Sequence, residues 1–157
     1  MMPNIVLKSS ATHQKGIFAL RHIKKGEQVI TFGGDLLHRS QVDFEDYHLQ
    51  VAEDFYLGPS RKLDDYINHS CAPNCGFKDG VTLVALCDIA IDDEITWDYS
   101  TAIDEEDFDG FSCGCGALAC RGKVSSFRHL ELKDKLRLLP HLLPYLKEKY
   151  YALKVEA

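Results

Sequence analysis

One stretch constrains this chain more than any other, residues 66–75, which read YINHSCAPNC. It gathers an aromatic ring, an amide, an imidazole and two thiols around Pro73, more chemistry than an ordinary connector carries. Two later segments look like its partners: EITWDY at residues 94–99 and CGCGALACRG at residues 113–122. The expectation is that all three converge on one site. Asn68 and His69 are costly to bury in a single loop unless each is hydrogen-bonded or holds something.

The cysteines sharpen that expectation. Cys113, Cys115 and Cys120 have Cys-x-Cys-x4-Cys spacing in a glycine-bearing loop, tight enough to turn three thiolates onto one ion. Three sulfurs leave a structural zinc one ligand short of its tetrahedron, so the fourth comes from elsewhere, and Cys71 is the choice. Such a bond staples the tail to the core and turns metal binding into folding energy. The competing reading is a set of plain reduced thiols or a redox pair. Cys75 is a weaker ligand candidate, and Cys87, placed in a strand, is expected to be a buried free thiol.

Strand signals recur at short intervals. Residues 5–8, 16–20 (GIFAL) and 28–32 (QVITF) read as strands, with Lys24-Lys25-Gly26 as a hairpin turn between the last two. Gly33-Gly34 marks either a simple turn or a place where another backbone or a ligand comes close. Residues 40–51 have weak helical spacing through Val42, Tyr47 and Val51 and predict a short helix. Residues 55–57, 81–89 and 94–99 read as further strands. Residues 125–139 predict a helix ended by Pro140, and Pro144 begins another. The sum is a mainly β domain followed by C-terminal helices whose leucines and tyrosines pack on it, or cover a ligand.

At 157 residues a single domain with its own core is expected. The apolar runs are too short to span a bilayer, and MMPNIVLKSS lacks the pattern of a secretory signal, so an intracellular, cytoplasmic location with reduced cysteines is expected. The net charge of -6 argues against a dedicated nucleic-acid binder. Acids crowd at Asp88, Asp92, Asp93 and Glu94 and again from Asp104 to Asp109. They are either a solvated face or a guide for a basic partner such as a lysine-rich tail.

Together NHSCAPN, EITWDY and the cysteine tail resemble the SET-domain family of protein lysine methyltransferases, and KGIFALRHIKKGEQV is similar to its first cofactor-binding segment. The resemblance implies a mainly β fold of small curved sheets with a pseudoknot: a SET domain over residues 1–110, a post-SET zinc loop over 111–124 and a helical segment over 125–157. It implies S-adenosylmethionine as methyl donor, held by Asn68 and His69 (partly through backbone groups), Tyr66 and the loop Lys15-Gly16-Ile17-Phe18, with Phe127 over the adenine. Tyr99 matches the family's active-site tyrosine, and Phe32, Trp97 and Tyr99 line the substrate channel. Cys71 matches the core ligand of a zinc completed by Cys113, Cys115 and Cys120. Three positions depart from the family pattern: Gln14 replaces a glycine, Phe32 a tyrosine and Asp65 an arginine.

The activity implied is methylation of lysine side chains on a basic or histone-like protein, with no direct nucleic-acid or membrane partner. Two other readings stay open. One is a SET-like module that binds basic peptides without methylating them, and the other is a zinc-stabilised interaction domain that uses its acidic stretch. Affinity for the methyl donor separates the enzyme from both.

Overall fold

The computed structural model describes residues 4–44 and 47–156. Among them run twelve short strands: β1 (Ile5–Ser9), β2 (Lys15–Ala19), β3 (Gln28–Thr31), β4 (Leu36–His38), β5 (Leu49–Ala52), β6 (Phe55–Leu57), β7 (Asn68–His69), β8 (Cys75–Phe77), β9 (Thr82–Ala85), β10 (Glu94–Trp97), β11 (Phe111–Ser112) and β12 (Lys123–Val124). Three helices follow, α1 (Leu132–Leu138), α2 (Pro144–Lys149) and α3 (Tyr151–Glu156). The strands form small sheets in the orders β1-β2-β10-β7, β3-β9-β8, β4-β6-β5 and β11-β12. A mainly β chain with short C-terminal helices is what the sequence predicts.

Strand β2 sits at the centre because both of its edges are taken. It pairs antiparallel with β1 on one side and β10 on the other, which sets Ile17 opposite Leu7 and Ile95. Ile17 and Ile95 are fully buried and join Ile23, Leu83 and Ile89 in the main core. With no free edge on β2, the expected hairpin to β3 does not form. The turn itself exists, with Glu27 N–H donating to the Lys24 carbonyl at 3.0 Å and Gly26 at φ +86°. It instead sends the chain around a corner into another sheet, where β3 pairs with β9.

Gly34 shows why two glycines follow β3. At φ +108°, an added Cβ there would lie 2.5 Å from the Gly58 Cα, so another backbone does pass against it. Three other expectations are corrected. The helix over 40–51 is a 3-10 turn, Arg39–Gln41, capped by the His38 side chain, followed by β5 paired with β6. Strand pairing overrides the weak helical spacing, and part of that expected helix falls on 45–46, outside the described residues. The strand over 81–89 is confined to Thr82–Ala85, which leaves Cys87 exposed and outside any strand rather than a buried thiol.

The tail breaks into short pieces, a 3-10 turn at Phe127–His129 and then α1, with Pro144 at the start of α2 as predicted. Phe127, Leu138, Leu142 and Leu146 form a second core. Leu143 N–H donates to the Thr101 carbonyl at 3.0 Å, and the Tyr145 hydroxyl donates to the Ala102 carbonyl. Asp104, only 2% exposed, ties these helices down by accepting from the Tyr150 hydroxyl at 2.9 Å and pairing with Lys149 at 2.7 Å and Arg128 at 3.3 Å. Burial pushes its carboxyl up, but Lys149, Arg128 and Tyr150 together hold it below the usual carboxylate range.

A depressed folded pKa gives stability that is complete above about pH 4 and is lost as pH falls through the folded value. Asp104→Asn is therefore expected to lower stability at neutral pH by about 2 kcal/mol or more and to flatten the acid limb. Urea midpoints between pH 3 and 7 measure both effects, and an unchanged midpoint would remove the network from the list of things holding the tail.

Candidate active site

Strand β7 is two residues long, yet it positions most of the site. It runs parallel to β10, with Asn68 beside Thr96 and His69 beside Trp97. The Asn74 side chain extends the pairing, donating to the Glu94 carbonyl at 2.7 Å and accepting from Thr96 N–H at 3.0 Å. Two stretches distant in sequence are thus laid side by side, and Tyr99 follows directly.

Asn68 faces the start of β2. Its amide donates to the Lys15 carbonyl at 2.8 Å and to Glu94 Oε1 at 2.7 Å, while the Ser10 hydroxyl donates to the same carboxylate at 2.9 Å. Gly16 leaves room for this cluster, since an added Cβ would stand 2.1 Å from Glu94 Oε1 and 2.9 Å from Asn68 Nδ2 and would displace both side chains. The glycine lets the Lys15–Gly16 backbone lie flat on the amide.

Two cavities meet at Tyr99. The larger, about 270 Å³, has Asn68, His69 and Tyr99 along one side and Tyr66 near them. One wall comes from residues 12–15 and another from residues 111–114 of the cysteine tail. The second, about 180 Å³, is lined by Phe32, Ile67 and Trp97. Tyr47, Asp65 and Tyr99 line both. The Tyr99 ring lies 4.7 Å from Trp97, and Phe32 stands edge-on to Trp97 at 5.9 Å. The Tyr99 hydroxyl donates to the Ile67 carbonyl at 2.6 Å, which fixes the phenol at the junction.

The electrostatics keep these groups neutral. Burial raises the Tyr99 pKa, and the negative charge of Glu94 pushes the same way, so the phenol stays protonated. Burial brings His69 down to about 4, opposed by Asp98 and assisted by Arg121. His69 Nδ1 accepts from Tyr99 N–H at 3.0 Å, so the proton of the neutral ring sits on Nε2, 3.3 Å from Cys71 Sγ. His69 is therefore a connector between the tyrosine and the cysteine cluster, not a proton carrier.

That cluster is Cys71, Cys113, Cys115 and Cys120, whose sulfurs all lie within 4.8 Å of one another. The Cys71 and Cys113 sulfurs are 3.8 Å apart, matching the edge of about 3.8 Å expected for a tetrahedron of ~2.3 Å Zn–S bonds. Backbone N–H groups of Arg121 and Gly122 donate to Cys71 and Cys120 sulfurs at 3.4 and 3.3 Å, the partners thiolates need. Burial raises the Cys115 thiol, but backbone donors and the neighbouring thiols outweigh it and bring it down to about 6. The four sulfurs suit zinc, and no other choice of fourth ligand is needed. Cys75 lies apart in β8, buried and pushed up to about 12.

Arg121 makes a second staple beside the first. Its guanidinium grips the fully buried Asp98 in a two-pronged pair at 2.8 and 2.9 Å. Asp98 in turn caps the turn that carries Tyr99, accepting from Ser100 N–H at 3.1 Å. The tail is thus held next to Tyr99 by sulfur and by charge.

Four expected residues lie elsewhere, Gly16 among them, packed against Asn68 and Glu94 rather than on the cavity lining. Ile17 and Phe18 do not line the large cavity, because β2 spends both its edges on pairing and its Ile17 side chain on the core. The cavity wall is formed just upstream, by Thr12, His13, Gln14 and Lys15. Phe127 is fully buried in the tail core, 4.7 Å from Tyr150, and takes no part in the cavity. The aromatic that the tail does bring there is Phe111, half exposed and 6.5 Å from Tyr99. Its place two residues before Cys113 was the available signal. Tyr47, which lines both cavities, follows no motif in the sequence.

A sheet-built site with paired cavities and a four-cysteine staple defines a recognisable class. The SET domain family matches residues 14–100, more than half the chain, and the chain belongs to that family. It is 28% identical to the H3 lysine-4-specific histone-lysine N-methyltransferase of Saccharomyces cerevisiae and 31% identical to that of Schizosaccharomyces pombe. These alignments take in 75% and 74% of this chain but only 13% and 14% of the relatives. Among solved structures it resembles KRYPTONITE in complex with mCHH DNA, an H3(1–15) peptide and SAH, with TM-score 0.64 and 26% identity over 79% of this chain and 30% of that one. Arabidopsis thaliana SUVH6 in complex with SAM shares the fold at TM-score 0.66 and 20% identity, over 79% and 33%. The DNA in the KRYPTONITE complex means that the expected exclusion of nucleic acid gains no support from this likeness. No helix among the described residues is long and apolar enough to cross a membrane.

Cys115→Ser is expected to lose bound zinc and to free residues 111–124 from the core. Elemental analysis should give about one zinc per wild-type chain and far less in the variant. Equal metal content in the two would contradict the cluster.

Proposed function

We propose that this chain is an S-adenosylmethionine-dependent protein-lysine N-methyltransferase. The observation that carries the reading is the position of Tyr99, shared by a cavity walled by the cysteine tail and an aromatic channel. The names of the relatives and the SAH or SAM in the related structures support the same reading. Bound S-adenosylmethionine would supply a sulfonium methyl.

The chain's own residues divide the remaining work. Asn68, His69, Tyr66 and Lys15 line the donor cavity, where Phe111 offers an aromatic face for the adenine in place of Phe127. The Gly16 cradle keeps the Lys15 backbone tight on Asn68. Phe32 and Trp97 wall the channel for the lysine side chain. Free lysine, with a pKa near ~10.4, arrives as an ammonium and must lose its proton before it can attack. The rings of Phe32 and Trp97 strip its water and disfavour the charged form, and a sulfonium nearby pushes in the same direction, while the Asp64 and Asp65 carboxylates on the same lining oppose both. Tyr99, pinned to the Ile67 carbonyl, orients the amine where donor and acceptor meet, so that positioning supplies much of the rate. Its raised pKa excludes it as the base, and the proton leaves to solvent along the open channel.

The substrate proposed is a basic protein, histone H3 among the candidates, on the relatives' specificity and the net charge of -6. A histone substrate would place the work in the nucleus rather than in the cytoplasm expected from the sequence.

Tyr99→Phe is expected to keep the fold and the donor affinity while turnover falls roughly a hundredfold or more, the usual scale for removing one positioned hydroxyl. Labelled donor with histone H3 and with cell extract measures turnover, and calorimetry measures affinity. Equal turnover would remove Tyr99 from the active site, and donor binding without any methylation would favour the peptide-binding module.

A further inference from the structure

The lining of the aromatic channel carries formal charge of one sign. Asp64 and Asp65 both stand on it, and among the described residues no lysine or arginine does. His48, Tyr47 and Tyr99 complete its titratable groups, and the cation Lys15 lies on the donor cavity instead. Asp65 reaches both cavities, so it sits where they join beside Tyr99.

Both acids belong to the 3-10 turn Leu63–Tyr66 that leads into β7, and Asp64 is only 5% exposed. Asp64 accepts from Gly33 N–H at 3.1 Å and from the Ser60 hydroxyl at 2.6 Å. Asp65 accepts from Ser60 N–H at 3.0 Å and from Arg61 N–H at 2.7 Å. Every one of these donors is neutral. They orient the two carboxylates without cancelling their charge, and a charge set away from water without a counter-ion is costly. Beside the rings of Phe32 and Trp97, such a pair favours a cation carried on an apolar stem. Asp65 is also a position where this chain departs from the family pattern.

We propose that Asp64 and Asp65 make the channel a receptor for the charged form of the substrate lysine, an inference that rests on the methyl-transfer reading of the channel. An ammonium has three donors and no acceptor, which matches carboxylates that keep lone pairs beyond their backbone contacts. Its four-carbon stem lies along the aromatic rings while the head meets the acids. The acids thereby strengthen capture and delay reaction, because a nearby negative charge raises the pH at which the amine gives up its proton. Norleucine has nearly the same stem and no charge, so a channel working by its rings alone would take it at least as well as lysine. The competing role for the two acids is purely local: folding the loop at residues 58–62 by capturing its N–H groups.

The test titrates two H3-tail peptides, one with a single lysine and one with norleucine in its place, into the zinc-loaded chain with S-adenosylhomocysteine bound. Where a labelled extract protein is the better substrate, the peptide around its methylated lysine replaces the H3 sequence. The wild-type chain is expected to bind the lysine peptide about tenfold or more tighter than its norleucine counterpart. Asp64→Asn keeps the local hydrogen bonds, since the amide can donate to Ser60 Oγ and still accept from Gly33 N–H, and it should bring that ratio toward one. It should also raise KM while the pH midpoint of the single-turnover rate moves about one unit toward acid, because losing a negative charge lowers the pKa of the bound amine. Unchanged donor affinity confirms that this variant folds, and Asp65→Asn should move the midpoint the same way. Norleucine bound as tightly as lysine by the wild-type chain, or a ratio and midpoint unmoved in Asp64→Asn, would overturn the inference and leave methyl transfer standing. Methylation of no histone and no extract protein would instead remove the reading of the channel, and this inference with it.

Discussion

The parallel pairing of β7 with β10 is the constraint on which the rest depends. Two residues on each strand suffice to bring Asn68 to the start of β2, His69 to the backbone of Tyr99 and Cys71 to the tail. Parallel strands cannot be joined by a tight turn, so residues 70–93 must travel out through the β8–β9 hairpin before returning. The Asn74 side chain bridges that return by hydrogen-bonding the β10 backbone on both sides of Ile95. A local sequence motif thereby becomes a site assembled from three distant parts of the chain.

Closure of the site is a separate event, and it belongs to the tail. Phe111, Ser112, Cys113 and Gly114 form one wall of the donor cavity, and little apolar burial holds them there, since Phe111 and Ser112 are exposed. The cysteine cluster and the Arg121–Asp98 pair supply what packing does not. A buried ion pair contributes modestly to net stability, because desolvation offsets much of its attraction, but breaking it leaves an uncompensated charge beside Tyr99. Metal and charge therefore fix the position of the wall, and the Asp104 network fixes the helices behind it.

Much of the site was legible in the sequence because its chemistry is concentrated. Asn68, His69, Cys71 and Tyr99 lie in motifs whose residue types have no cheap structural excuse, and Cys71, the fourth ligand expected, has its sulfur within 4.8 Å of those of Cys113, Cys115 and Cys120. What failed was information carried by pairing. Nothing in QVITF says that β2 already has two partners, so the turn at Gly26 read as a hairpin. Residues 49–52 become a strand because β6 is there to receive them, against a weak helical period. Phe127 was placed by its distance from the zinc loop alone, and apolar contacts with Leu138, Leu142 and Leu146 outweigh that. The large cavity also takes residues that need no motif, such as Tyr47 and Thr12, since any side chain of suitable shape can line a wall.

The central claim is that one folded junction makes the donor cavity and that the metal-held tail completes it. Titration of S-adenosylmethionine into the zinc-loaded chain, and into the same chain after chelation, tests this most directly. Saturable binding to one site is expected, weakened about tenfold or more when the zinc is removed. No binding to the loaded protein, or equal affinity with and without the metal, would contradict it.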